Sequence, residues 1–136
     1  MNIFELPRYQ WWEHMEPIMQ YVNLYKISFQ QNNQMIFTFI NSYNGKYYKS
    51  LSCGRILKCC IENEALCDEP FAYFVSDVYQ KELNMEELES SMSYFRYGFP
   101  VRLSELERQY LIVIIGSEIC IDIICGEAAI VIEQNP

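Results

Sequence analysis

The chain has 136 residues and a formal charge of −8 at pH 7. It is 51% hydrophobic and rich in Tyr and Phe, which excludes an intrinsically disordered chain, and no apolar run reaches the ~20 residues of a membrane-spanning helix. A single domain covering residues 1–136 is expected at this length.

Trp11-Trp12-Glu13-His14-Met15 reads as a short helix after Pro7, with Pro17 restricting any continuation. From Tyr21 a strand is expected, with Tyr21, Asn23, Tyr25, Ile27 and Phe29 on one face and Lys26, Ser28 and Gln30 on the other. Gln31-Asn32-Asn33-Gln34 is a polar turn, and Met35, Phe37 and Phe39 alternate with Ile36, Thr38 and Ile40 to complete a hairpin. Asn44-Gly45 marks a second turn, because both residues tolerate positive φ. Lys46 to Ser52 is the next strand; Gly54 then breaks the pattern before another strand, Arg55 to Ile61.

Glu62 to Pro70 is acidic and closed by a proline, the signature of an exposed loop. Phe71 to Glu82 returns to β character. The clearest helix, about 84–96, starts at Asn84 with Glu87 three residues on, the spacing of a capping box. Leu88, Met92 and Phe95 form its apolar stripe, and Gly98 and Pro100 end it. Tyr110 to Ile115 is apolar on both faces, as a central strand would be. Glu118 to Cys125 alternates, Gly126-Glu127 turns, and Ala128 to Glu133 closes a C-terminal three-stranded meander. The fold class is α+β, a predominantly antiparallel, sandwich-like β-sheet with one helix.

Residues carrying chemistry are few. His14 is the single histidine, so a histidine-based triad or metal centre has nothing else to use. No Cys-x-x-Cys accompanies Cys53, Cys59, Cys60, Cys67, Cys120 and Cys125, which read as free thiols rather than zinc ligands. A thiolate nucleophile at Cys59-Cys60 lacks a base. No glycine-rich phosphate loop is present, and the negative charge opposes a nucleic-acid backbone. No catalytic residue, metal or cofactor is expected.

The charge is lopsided. Between Glu62 and Glu89 stand nine carboxylates and one lysine, Lys81, which equals the whole formal charge. Part of that excess belongs to the helix start. The rest suits either plain solubility or docking of a basic partner, for which Glu62, Glu64, Asp68, Glu69, Asp77 and Glu82 are the candidate contacts.

Phe74-Val75-Ser76-Asp77-Val78, the helix from Asn84, the run Ile121-Asp122-Ile123-Ile124-Cys125-Gly126 and a pI near 4.6 resemble the small acidic immunity proteins that accompany bacterial contact-dependent and other polymorphic toxins. The resemblance covers residues 21–133. It implies a non-catalytic cytoplasmic inhibitor whose partner is a cognate toxin domain with a basic surface, a nuclease in many such pairs, and implies neither a nucleic-acid nor a membrane partner. An N-terminus without basic and apolar signal regions fits the same compartment. The alternatives are an accessory domain with another basic partner, or a small enzyme. Oligomeric state is not legible.

Overall fold

The structure is a computed structural model that describes residues 1–41, 43–63, 75–94, 108–116 and 119–132. Two 3-10 segments, Ile3–Glu5 and Arg8–His14, precede six strands: β1 (Glu16–Gln30), β2 (Gln34–Asn41), β3 (Tyr47–Asn63), β4 (Val75–Leu83), β5 (Gln109–Gly116) and β6 (Ile119–Ile132). Helix α1 (Met85–Tyr94) lies between β4 and β5. The antiparallel, one-helix class read from the sequence is what the chain adopts. The sheet is a closed barrel in the order β1-β2-β3-β6-β5-β4, with β4 paired back to β1, rather than a sandwich.

Both expected turns form. Asn32 and Asn33 take φ of 63° and 57°, and Gly45 takes 68°. The Asn41 N–H donates to the Lys46 carbonyl at 2.8 Å across the second turn. The breaks expected at Gly54 and Gly126 do not form: Gly54 lies inside β3 and Gly126 inside β6, which pair from Lys49↔Ile132 to Asn63↔Ile119. The C-terminal segment is therefore two strands, not a three-stranded meander. The glycines mark a corner where the barrel-facing positions change parity. Leu51 and Cys53 pack inward before it and Ile56 after it; on β6 the inward set passes from Ile119, Ile121, Ile123 and Cys125 to Ala128. Arg55, at φ 51°, and a register shift between Ile56 and Lys58 absorb the change. A Cβ on Gly126 would sit 3.3 Å from the Arg55 Cβ, so the two strands approach closely here.

A bulge likewise overturns the face assignment of β1. Leu24 pairs with Phe39 and Lys26 with Thr38, leaving Tyr25 as the extra residue. The inward side chains are Met19, Val22, Leu24 and Ile27, while Tyr21, Tyr25 and Phe29 are exposed.

Two apolar cores result. The first fills the barrel, with Phe37, Phe39, Leu51, Val78, Ile112, Ile114, Ile121 and Ile123 at its centre. The second covers the outer wall of β4, β5 and β6: Ile3, Trp11 and Met15 from the N-terminus and Leu88 from α1 pack on Tyr79, Leu83, Leu111, Val113 and Ile124. Strand β5 is thus buried on both faces, as its composition requires. The Trp11 indole N–H donates to the Leu6 carbonyl at 3.1 Å, and its ring meets Phe4 edge-on at 5.4 Å.

Glu87 ties these layers together. The capping box is made in both directions: the Glu87 N–H donates to Asn84 Oδ1 at 2.8 Å, and the Asn84 N–H to Glu87 Oε1 at 3.1 Å. Lys81 Nζ on β4 reaches the same carboxylate at 2.7 Å, and the Ile3 N–H donates to it at 2.9 Å. The side chain is fully buried. Burial alone would raise its pKa, but the lysine and the two backbone donors outweigh it and hold the carboxyl below its ordinary value. At the other end of α1, Lys58 Nζ on β3 donates to the Ser91 carbonyl at 3.1 Å. The helix continues through Tyr94; the expected stripe residue Phe95 and the stops at Gly98 and Pro100 lie outside the described residues.

Removing the Glu87 carboxylate strands Lys81 and undoes the cap and the N-terminal tether. Urea unfolding of Glu87→Ala is expected to show a loss of about 3 kcal/mol, with Glu87→Gln losing less because it retains acceptors for the N–H groups.

Candidate functional site

Three of the six candidate contacts are described. Glu62 is opposite Cys120 on β6, Cys120 opposite Ile115 on β5, and Ile115 opposite Asp77 on β4. Paired residues project to the same face, so Glu62 and Asp77 stand on one row of the outer wall, separated by about 14 Å at ~4.8 Å per strand. Glu82 is set apart: it lies five residues along β4, opposite the inward-turned Tyr110. Glu64, Asp68 and Glu69 fall outside the described residues; Asn63 and Val75, which flank their segment, are both at the Glu62–Asp77 end of the barrel.

Each of these three described candidates has a partner within the chain. Asp77 Oδ1 accepts the Tyr21 N–H at 3.0 Å, and Glu82 meets Arg108 at 3.3 Å. Glu62 belongs to a centre that sequence reasoning missed. The Arg8 guanidinium forks, with Nη1 2.8 Å from Glu62 Oε2 and Nη2 2.7 Å from Asp122 Oδ2, while Nη2 also reaches Cys120 Sγ at 3.0 Å. Asp122 sits on the outer wall of β6 yet is wholly covered. A charged residue in that position needs a cation, and Arg8 supplies it from the second 3-10 segment. The available signal was Asp122 itself, one carboxylate inside an isoleucine run.

Burial pushes Asp122 up to about 6 against the opposing pull of Arg8. The thiols around it respond to the same field. Burial and the charges of Asp122 and Glu62 push Cys120 up to about 11; burial and its neighbours put Cys59 near 11, and Cys60 is also raised. These thiols stay protonated at neutral pH, the opposite of what a nucleophile requires. Cys53 and Cys125 face one another in the barrel core, where their mutual hydrogen bond and burial push Cys53 up. The five described cysteines are free; Cys67 lies outside the described residues.

An open cleft of about 330 Å³ adjoins the glycine corner, with Gln34, Ser52, Gln80, Tyr110 and Glu127 among its lining. Its carboxylate is engaged, with Glu127 3.2 Å from Arg55. Among the described residues no group of His, Cys, Asp and Glu is placed to hold a metal ion, and no helix is long and apolar enough to cross a membrane. His14 is exposed at the end of the second 3-10 segment.

A protein-family model described only as "-like" matches residues 17–133, from the start of β1 to just past the end of β6. The chain belongs to that family. The family match begins after both 3-10 segments, so Arg8 is outside it. A crystal structure of an uncharacterized protein from Neisseria gonorrhoeae is similar in fold, with a TM-score of 0.61 and 18% identity over 85% of this chain and 95% of that one. No curated protein matches.

The raised Asp122 sets a pH dependence. Its folded pKa lies above the ordinary 3.8, so between about pH 4 and pH 6 the folded state holds a proton that the unfolded state has released. The Asp122 contribution to stability is greatest below that window and is lost as pH rises through about 6. Urea midpoints measured across the window are expected to fall less with rising pH in Asp122→Asn than in the parent.

Proposed function

We propose that this protein is a cytoplasmic immunity protein, a non-catalytic inhibitor that binds a cognate bacterial toxin domain through an acidic surface. The observation that carries this reading is the concentration of nine carboxylates against one lysine between Glu62 and Glu89. Its supporting geometry is the shared outer row of Glu62 and Asp77 at the barrel end where the segment bearing Glu64, Asp68 and Glu69 leaves and returns. A nuclease toxin has a cationic cleft for phosphate, and an acidic protein seated there meets complementary potential and blocks the substrate path. The protonated state of Cys59, Cys60 and Cys120 weighs against the alternative of a thiol enzyme. An accessory domain with a different basic partner would use the same electrostatics and differs in what it binds.

The acids do not contribute alike. Glu87 is buried and spent on the helix cap, and Glu62 already holds Arg8. The interface therefore draws on Glu64, Asp68 and Glu69 first, with Asp77 and Glu82 at its margins.

The test is co-purification with the product of the adjacent gene, followed by titration of the pair at several salt concentrations. A tight complex that silences a toxic activity is expected, weakening as salt rises. Glu64→Lys combined with Asp68→Lys should weaken it at least about tenfold, the scale of removing and reversing charge at a steered interface. Unchanged binding by that double variant would take the acidic segment out of the interface.

A further inference from the structure

The seam that closes the barrel, β1 against β4, is the least regular pairing in the molecule. Its register shifts between Pro17 and Met19 and again between Met19 and Val22. Inside that stretch Tyr21 has φ of 56°. This is the left-handed region, which strains a bulky side chain and where glycine or asparagine is at home. Strain of this kind persists only where the surroundings hold it. The holder here is Asp77, whose carboxylate takes the Tyr21 N–H at 3.0 Å. The outcome is a tyrosine turned out to solvent, 65% exposed.

Tyr21 does not stand alone. Tyr79, two residues past Asp77 on the same outer face of β4, is nearly covered, with its hydroxyl hydrogen-bonded to the Gln20 side chain. Tyr79 lies within electrostatic reach of both Asp77 and Tyr21; burial first, and then those two groups, raise its pKa. Trp12, 46% exposed, lies 6.3 Å from Tyr79 between ring centroids. Around Tyr79 thus stand two exposed rings, Trp12 and Tyr21, and the Asp77 carboxylate. This face combines charge with preset geometry.

We propose that the Trp12–Tyr21–Tyr79–Asp77 face receives an arginine side chain from a partner protein. Aromatic faces attract cations, and a guanidinium can stack on a ring while its edge pairs with a carboxylate, which an ammonium does less well. One hydrogen bond to Tyr21 leaves a carboxylate with further acceptor capacity. The proposal rests on the reading of a basic partner and moves the anchoring contact from the acidic segment to the barrel seam.

The experiment titrates hexa-arginine, hexa-lysine and hexa-citrulline peptides into the full chain and follows amide and indole resonances. Hexa-arginine is expected to move the Trp12 indole and the Tyr21 and Asp77 amides, while the buried Trp11 indole stays in place. Hexa-lysine should act more weakly and hexa-citrulline hardly at all. Asp77→Asn keeps an acceptor for the Tyr21 N–H while removing the charge, and should weaken hexa-arginine at this face about threefold, the size of one exposed ion pair. Shifts that avoid Trp12 and Tyr21, or equal shifts with hexa-citrulline, would overturn the docking face. The same variant and Trp12→Ala are then tested against the adjacent gene product. Undiminished binding of both variants also overturns it while leaving the immunity reading intact; a peptide response here with no adjacent product bound removes the immunity reading alone.

Discussion

Closing six strands into a ring constrains everything else in this molecule. With β4 hydrogen-bonded back to β1, each of the six described strands has a neighbour on both sides. Closure requires strands that bend and coil, and the chain meets that requirement at two places. One is the corner formed by Gly54 and Arg55 on β3 with Gly126 on β6; the other is the β1–β4 seam with its two register shifts. The positive φ values at Tyr21 and Arg55 fall at these two places, while those at Asn32 and Asn33 serve the tight β1–β2 turn.

How much of this was legible depended on whether the controlling contact was local. The Asn84–Glu87 capping box, the Asn32-Asn33 and Asn44-Gly45 turns and the two-sided burial of β5 are written in neighbouring residues. All of them form. The reading failed where parity changed within a continuous strand. A bulge at Tyr25 reverses which residues face inward, and alternation carried across it places Tyr21 on the face of Ile27. Gly54 and Gly126 carry the composition of turns, yet here they allow close approach inside paired strands. Arg8 and Asp122 are at opposite ends of the chain, and no local pattern joins them. The direct signal was a carboxylate amid isoleucines, which physical chemistry does not leave buried without a counterion.

The same distinction applies to the charge. A count of carboxylates describes the field only if the carboxylates reach solvent without internal partners. Glu87 is enclosed, Asp122 is enclosed against Arg8, and Glu62 and Glu82 each hold an arginine. The formal excess is therefore carried outward by fewer groups than the composition suggests. On the proposed reading, recognition calls for shape as well as sign, and the aromatic face at the seam would supply it.

The N-terminal strap has a practical corollary. Ile3 and Trp11 act as a lid on an oily wall of the barrel, latched through Asn2 to Ser90 and through Ile3 to Glu87. Clipping the first dozen residues by a protease, or displacing them with a bulky fusion, would bare Leu111, Val113 and Ile124 to water while the ring of strands stayed closed. The remnant would keep its outline and become sticky, so loss of solubility would precede loss of β-structure.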